Sequence, residues 1–223
     1  MARAQLVHLL LAAALLGCRT AAPSDAEAYL SGDCPAIGEP ALRGECVSFA
    51  AAARARGGDR DGAFADCASL RPHPAADECH FLVVDTLGLG RAEAATACAG
   101  AGRYRDRCRG HAVRRDAAGA LAAAGPGNER AAWMEIARWP GVGPGRARAL
   151  VVDLLAARAT ASLALEPSVC GDAPTELCAD ALTEAGRRST AARDALCAAS
   201  AAGPLDWQGA VDAARVALGC APG

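Results

Sequence analysis

Apolar residues recur at helical spacing along most of this chain, and glycine, proline and short polar residues separate the apolar segments. Valine, isoleucine and threonine form no long alternating run, so β-strands have little support. The pattern predicts an all-α fold of disulfide-stapled helical hairpins. These hairpins are expected to form either an α-solenoid-like stack or an irregular helical bundle.

Turn and capping residues set the limits of the helices predicted in the first half. The sequence Ser-Asp-Ala-Glu at residues 24–27 has the form of a capping box that opens a short helix. Pro40 suits the first turn of the next helix, because its missing N–H has no partner there in any case. Helices are predicted over residues 40–56, 59–70, 75–87 and 91–99, and another from about residue 103.

The second half begins after the clearest interior linker, Pro-Gly-Asn at residues 126–128. A helical hairpin is predicted over residues 129–138 and 146–163. Three final helices are expected, with Thr175, Ser189 and Asp206 as their N-caps. Gly219 is expected to cap the last helix at its C-terminal end.

The first eighteen residues differ from the rest. Arg3 and the free amine precede an apolar run over residues 6–16 that is too short to span a bilayer as a mature helix. The run ends in Leu-Leu-Gly-Cys at residues 15–18, which resembles the lipobox of bacterial lipoproteins. The resemblance implies a diacylglyceryl thioether on Cys18, cleavage before that residue, and usually a third acyl chain on the new amine. The alternative is an ordinary secretory signal cut near residues 21–22.

This resemblance predicts a location. Two or three acyl chains anchor a protein stably in a membrane, so we expect a palmitate-type lipid anchor on Cys18 after removal of a signal peptide at residues 1–17, with residues 18–25 as a lipidated tether. Arg19 stands where an inner-membrane retention signal would carry aspartate. The expected place is therefore the bacterial cell envelope, at the outer membrane, facing the periplasm or the cell surface.

Ten further cysteines are spread along the mature chain. They are Cys34, Cys46, Cys67, Cys79, Cys98, Cys108, Cys170, Cys178, Cys197 and Cys220. An even number in an exported chain predicts disulfides, here five. No Cys-x-x-Cys pair occurs, and the Cys-x-x-His at residues 108–111 has no second ligand pair near it in sequence. No metal site is predicted.

The first six cysteines recur at intervals of 33, 33, 31 and 29 residues, which indicates a degenerate repeat with two cysteines per unit. Joining neighbours gives Cys34–Cys46, Cys67–Cys79 and Cys98–Cys108. The rival scheme, Cys46–Cys67 with Cys79–Cys98, leaves Cys34 and Cys108 far apart. We favour the first scheme, with Cys170–Cys178 and Cys197–Cys220 closing the rest.

Residues 33–115 also carry a resemblance. The sequences DC at 66–67, ECHFL at 78–82, LGLG at 87–90 and AC at 97–98 resemble a secreted Sel1-like or tetratricopeptide-type repeat. In the cysteine-rich members of that family, a disulfide joins the end of one helix to the start of the next, which agrees with the neighbour pairing. The resemblance implies a helical stack whose surface binds other proteins. The alternative is a plain helical bundle.

The sequence IARWPGVGPGRARAL at residues 136–150 resembles a helix-hairpin-helix motif. The residues that match the pattern are Gly141, Val142, Gly143 and Ala147. The resemblance implies that N–H groups of the turn and of the following helix hold a DNA phosphate, with Arg146 and Arg148 adding attraction. The alternative is a structural turn, since residues 88–94 fit the same core pattern in an acidic region.

Charge is unevenly spread: residues 101–160 hold 11 arginines and 5 acidic residues, whereas acids dominate on both sides. The densest basic run is at residues 103–109. We expect it to be a solvated surface, with an anionic partner or a lipid headgroup as the alternative. His73, His80 and His111 fit no nucleophile or zinc pattern. No catalytic residue, cofactor or small-molecule substrate is therefore predicted, and an enzyme is not expected. A hydrolase built from residues scattered along the chain is the alternative.

The sequence thus predicts a lipid-anchored extracytoplasmic protein that acts as a protein-binding or structural module. Its expected partners are the membrane, through lipidated Cys18, and another protein. The alternative function is exported DNA binding through the hairpin at 136–150. The expected divisions after the tether are cysteine-containing helical repeats at 26–125, the hairpin at 126–165, and C-terminal helices with two disulfides at 166–223.

Overall fold

The computed structural model describes residues 24–162, 165–199 and 203–220. The predicted signal peptide and Cys18 lie outside these ranges. Within them, every regular element is an α-helix or a 3-10 helix, and five disulfides join helical segments. The predicted all-α, disulfide-stapled fold is confirmed.

The α-helices of the described ranges are numbered α1 to α11. They are α1 Asp25–Ser31, α2 Pro40–Arg56, α3 Arg60–Ser69, α4 Ala75–Thr86, α5 Arg91–Ala97, α6 Arg105–Ala124, α7 Glu129–Ala137, α8 Gly143–Ser162, α9 Thr175–Arg188, α10 Thr190–Ala198 and α11 Leu205–Leu218. Three 3-10 helices accompany them, at Cys34–Ala36, Cys98–Tyr104 and Pro167–Val169. In the same ranges, none of these helices is both long and apolar enough to cross a membrane.

Several capping predictions are confirmed. Ser24 accepts the Glu27 N–H while the Glu27 carboxylate accepts the Ser24 N–H, which is a complete capping box. Ser189 caps α10 by accepting the Ala192 N–H, and Gly219 ends α11 at a φ of 68°.

Three details of the helix limits are corrected. Thr175 and Asp206 are not N-caps. Pro174 and Pro204 occupy those positions with ψ values of 143° and 149°, and the two predicted residues fall inside the first helical turn. Helix α8 begins at Gly143 instead of residue 146. The proline at its second position already has the φ that a helix requires, so the helix starts earlier.

The chain divides into two compact units, described here separately. Within the described residues, unit 1 comprises residues 24–89 and 93–108, and unit 2 comprises residues 90–92, 109–162, 165–199 and 203–220. In unit 1, α2 packs against α3 and α4, and α4 packs against the 3-10 helix Cys98–Tyr104. Gly44 allows the close contact of α2 with α4, because a Cβ there would lie 2.7 Å from the Ala75 Cβ.

The core of unit 1 contains small side chains and disulfides. One hydrophobic cluster combines buried alanines of α2 and α3 with Val83 and the Cys67–Cys79 disulfide. Two further disulfides, Cys34–Cys46 and Cys98–Cys108, complete the unit. In each, the second cysteine lies on an α-helix that follows the segment holding the first. These are the neighbour pairs that the spacing favours.

Unit 2 is built around α9, which packs against α8, α10 and α11, while α7 packs against α8. The disulfides Cys170–Cys178 and Cys197–Cys220 lie in this unit, again as neighbours in sequence. A buried charge marks the start of α7. Glu129 is fully buried, accepts the Gly127 and Asp172 N–H groups, and pairs with the Arg158 guanidinium at 2.9 Å.

Candidate functional site

A groove of about 420 Å³ lies between α2 and α4 in unit 1. Ala41 and Phe49 of α2 and Leu82 of α4 contribute apolar side chains to its lining, and His73 lies near the start of α4. Both helices carry the second cysteine of a disulfide, so covalent bonds fix their N-terminal halves. The groove is a concave surface on a braced scaffold, as a site for a partner segment requires.

Phe49 is the feature of this groove that folding alone does not explain. Its side chain is 55% exposed on a wall of the groove. Full burial of a phenylalanine contributes about 1.5–3 kcal/mol, and here roughly half of that remains available to a binding partner. An exposed aromatic ring inside a concave surface is typical of a protein-binding site.

The polar groups of the groove have opposite charges. Glu45 on α2 and Glu78 on α4 contribute carboxylates, and Arg103 contributes a guanidinium. Glu45 also accepts the Tyr29 hydroxyl at 3.3 Å. Burial and the Glu45 carboxylate raise the pKa of that hydroxyl, which keeps it a donor. Ser48 donates to the Gly44 carbonyl within α2 and so contributes little to the groove surface.

Arg103 belongs to a stack of four side chains, here called the cation ladder. Its guanidinium lies 4.9 Å from the centre of the Tyr104 ring, which stacks on Phe81 at 6.0 Å. Arg107 in turn lies 5.5 Å from the centre of the Phe81 ring. Cations over aromatic faces are held in a preferred place, so the two guanidiniums are more ordered than free surface arginines.

The segment that carries the ladder is fixed at several points. Asp77 of α4 accepts the Arg103 N–H, and its carboxylate fills the space beside Gly102. Gly102 has a φ of 42° and ψ of −115°, a conformation open to glycine and strained for other residues. The Cys98–Cys108 disulfide closes the segment, and Arg71 donates to the Gly100 carbonyl.

The hairpin at 136–150 has the turn that its sequence predicts. Gly141 and Gly143 have positive φ values of 74° and 67°, and Val142 between them is buried. Ala147 is also fully buried. Of the two predicted phosphate-binding arginines, Arg146 is exposed, whereas Arg148 forms an ion pair with Asp180 of α9. Of the two expected cations, the hairpin therefore exposes only Arg146 without an ion pair in the described residues.

The cysteines and the remaining candidate metal ligands form no further site in the described residues. All ten cysteines predicted to pair are in disulfides, so none of them is a thiol nucleophile. Among the described residues, no group of three or more His, Cys, Asp or Glu side chains could hold a metal ion. The densest basic run, at residues 103–109, supplies the cation ladder. Sequence reasoning missed the groove itself, because it depends on which helices lie side by side.

No protein family, curated protein or solved structure matches this chain.

Proposed function

We propose that the chain is a lipid-anchored extracytoplasmic protein whose unit 1 binds a segment of another protein in the groove between α2 and α4. The observation that carries the proposal is the half-exposed Phe49 ring in a concave surface. Five disulfides support an oxidising compartment outside the cytoplasm.

Site-specific cross-linking tests the groove. A photoreactive amino acid replaces Phe49 in one sample and Val216 in the other. Val216 is 81% exposed and lies in unit 2, so it is a matched control for an apolar surface residue. We expect one defined adduct from position 49 in intact cells, and its loss when Leu82→Asp is added. Equal adduct patterns from both positions would contradict the proposal.

Mass spectrometry of the mature N-terminus tests the membrane anchor. We expect a chain that begins at Cys18 and carries the added mass of two or three acyl chains, and we expect Cys18→Ser to release the protein from the membrane fraction. An unmodified chain that begins at Arg19 or later would show an ordinary secretory protein instead.

A second function, DNA binding, is favoured by one observation at the hairpin. The two positive-φ glycines around buried Val142 form the turn that precedes α8, and the first N–H groups of a helix have no acceptor within the helix. A gel shift at low and at moderate salt tests this function. We expect retardation that weakens with salt and is lost in Arg146→Glu. Absence of binding at low salt, or binding unaffected by Arg146→Glu, would remove DNA binding from consideration.

A further inference from the structure

We infer that the segment bound in the α2/α4 groove carries carboxylates next to its apolar anchor, and that the cation ladder receives them. This inference rests on the proposed groove function and specifies the partner's chemistry. The link between the two is Arg103, which both lines the groove and begins the ladder.

The first support is charge that folding leaves unneutralised. In the described ranges, several arginines form ion pairs with carboxylates, among them Arg54, Arg60, Arg91, Arg114, Arg148, Arg158 and Arg188. Arg103, Arg105 and Arg107 form no ion pair within those ranges. Arg105 instead donates to the Ala99 carbonyl. Three guanidiniums in one braced segment therefore retain charge for an external anion.

The second support is preorganisation. Aromatic rings hold the guanidiniums of Arg103 and Arg107, while the Asp77 carboxylate, the disulfide and a glycine-only backbone conformation fix the segment beneath them. A partner that binds here does not have to order these side chains, so less conformational entropy is lost on binding. Such bracing is hard to attribute to packing, because the braced residues are mostly exposed.

The third support identifies the class of anion. Glu45 and Glu78 line the same groove as Arg103, so a uniformly anionic surface such as a nucleic acid or an acidic membrane would meet repulsion there. The rings that could stack on bases already carry cations, since Arg103 lies over Tyr104 and Arg107 over Phe81. A peptide segment avoids both difficulties, because it can place a carboxylate at the Arg103 end and an apolar residue over Phe49.

Selection from a random-peptide display library tests the inference on the full-length mature chain. The wild-type protein, Arg103→Gln, Arg107→Gln and Phe49→Ser are used as baits, with the exposed Arg138→Gln in unit 2 as control. Retention of all five disulfides by peptide mapping confirms that each variant is folded. We expect the enriched peptides to require Phe49 and to carry Asp or Glu beside an apolar residue. Their affinity should fall about tenfold in Arg103→Gln, as for loss of one charge-assisted hydrogen bond, and stay unchanged in Arg138→Gln.

The alternative outcomes are distinguishable. If no enriched peptide depends on Phe49, the groove function itself is refuted, and the inference fails with it. If peptides depend on Phe49 but show no acidic preference and bind Arg103→Gln equally well, the groove stands and the inference is overturned. Phosphatidylglycerol vesicles form a separate arm. Vesicle binding that requires Arg103 and Arg107, without acidic peptides, would reassign the ladder to a membrane surface.

Discussion

Replacing Glu129 by glutamine probes a carboxylate that is fully buried and, among the described residues of unit 2, the only one. The side chain serves three donors: Gly127 and Asp172 donate backbone N–H groups to Oε2, at 2.9 and 3.2 Å, and Arg158 donates to Oε1 at 2.9 Å. Arg158 also donates to the Val169 carbonyl, so the network joins the start of α7, α8 and the segment before α9. Glutamine keeps the shape of the side chain but has only one acceptor atom.

The cost follows from that single acceptor. If the amide oxygen faces the two backbone N–H groups, the amide NH₂ meets the Arg158 guanidinium and the ion pair is lost. If it turns to Arg158, two buried N–H groups lose their acceptor. Either arrangement costs about 2–4 kcal/mol of unfolding free energy. We expect a value at the lower end of this range, because Arg158 is one-third exposed and water can solvate its guanidinium once the ion pair is lost. For a chain of this length, the expected fall in Tm is roughly 5–10 °C.

Calorimetry measures the loss, and hydrogen exchange locates it. We expect faster exchange in α7 and α8 and unchanged exchange in α2 of unit 1. Glu135→Gln on the same helix is the control, because Glu135 is exposed and its side chain contacts no donor in the described part of the chain. A Glu129→Gln shift no larger than that of the control would show that the buried network contributes nothing to stability.

Three further predictions concern unit 1 and helix α6. Gly102→Ala should destabilise the protein by about 2 kcal/mol or more in thermal unfolding, because the φ of Gly102 is positive and a Cβ there would clash with the Asp77 carboxylate. As a control, Gly119→Ala should stabilise the protein by about 0.5–1 kcal/mol, because Gly119 is helical and a Cβ there has open space. Equal effects of the two substitutions would contradict the expected strain at Gly102. Burial, with a neighbouring arginine, lowers the pKa of His80 below its ordinary value of about 6.5, so on acidification the unfolded chain is protonated at this residue before the folded chain. The free energy of unfolding should therefore fall as the pH drops below about 6.5. His80→Leu should reduce this dependence of stability on pH, and an unchanged dependence would assign it to other groups. Cys67→Ser with Cys79→Ser should cost about 2–4 kcal/mol in denaturant unfolding, and a loss under about 1 kcal/mol would show that packing alone holds α3 to α4.

The helices that sequence predicts well are those whose limits are set locally. Pro40 and the glycines at 57–58 bound α2 at the predicted residues, and the capping box at 24–27 opens α1 as expected. In these cases the chain's own turn and cap residues satisfy the helix ends, so tertiary contacts have little to change.

Features that depend on distant contacts could not be predicted. The sequence predicts a break between helices after residue 99, but not the 3-10 segment Cys98–Tyr104 that fills it. Asp77, more than twenty residues earlier, holds the backbone of this segment at Gly102. Glu129 reads as an ordinary helix-start acid, and only packing shows that it is buried. The groove has no sequence signal either, since Phe49 has the same spacing as a core residue and its exposure follows from the pairing of α2 with α4.

The disulfide pattern has a consequence for how such a chain can mature. Every bond joins consecutive cysteines, with separations of 8 to 23 residues. A chain that emerges N-terminus first therefore exposes each cysteine together with its correct partner before the next pair appears. Oxidation in order of emergence yields the native set directly, so maturation has no intrinsic need for an isomerase that reshuffles mispaired bonds.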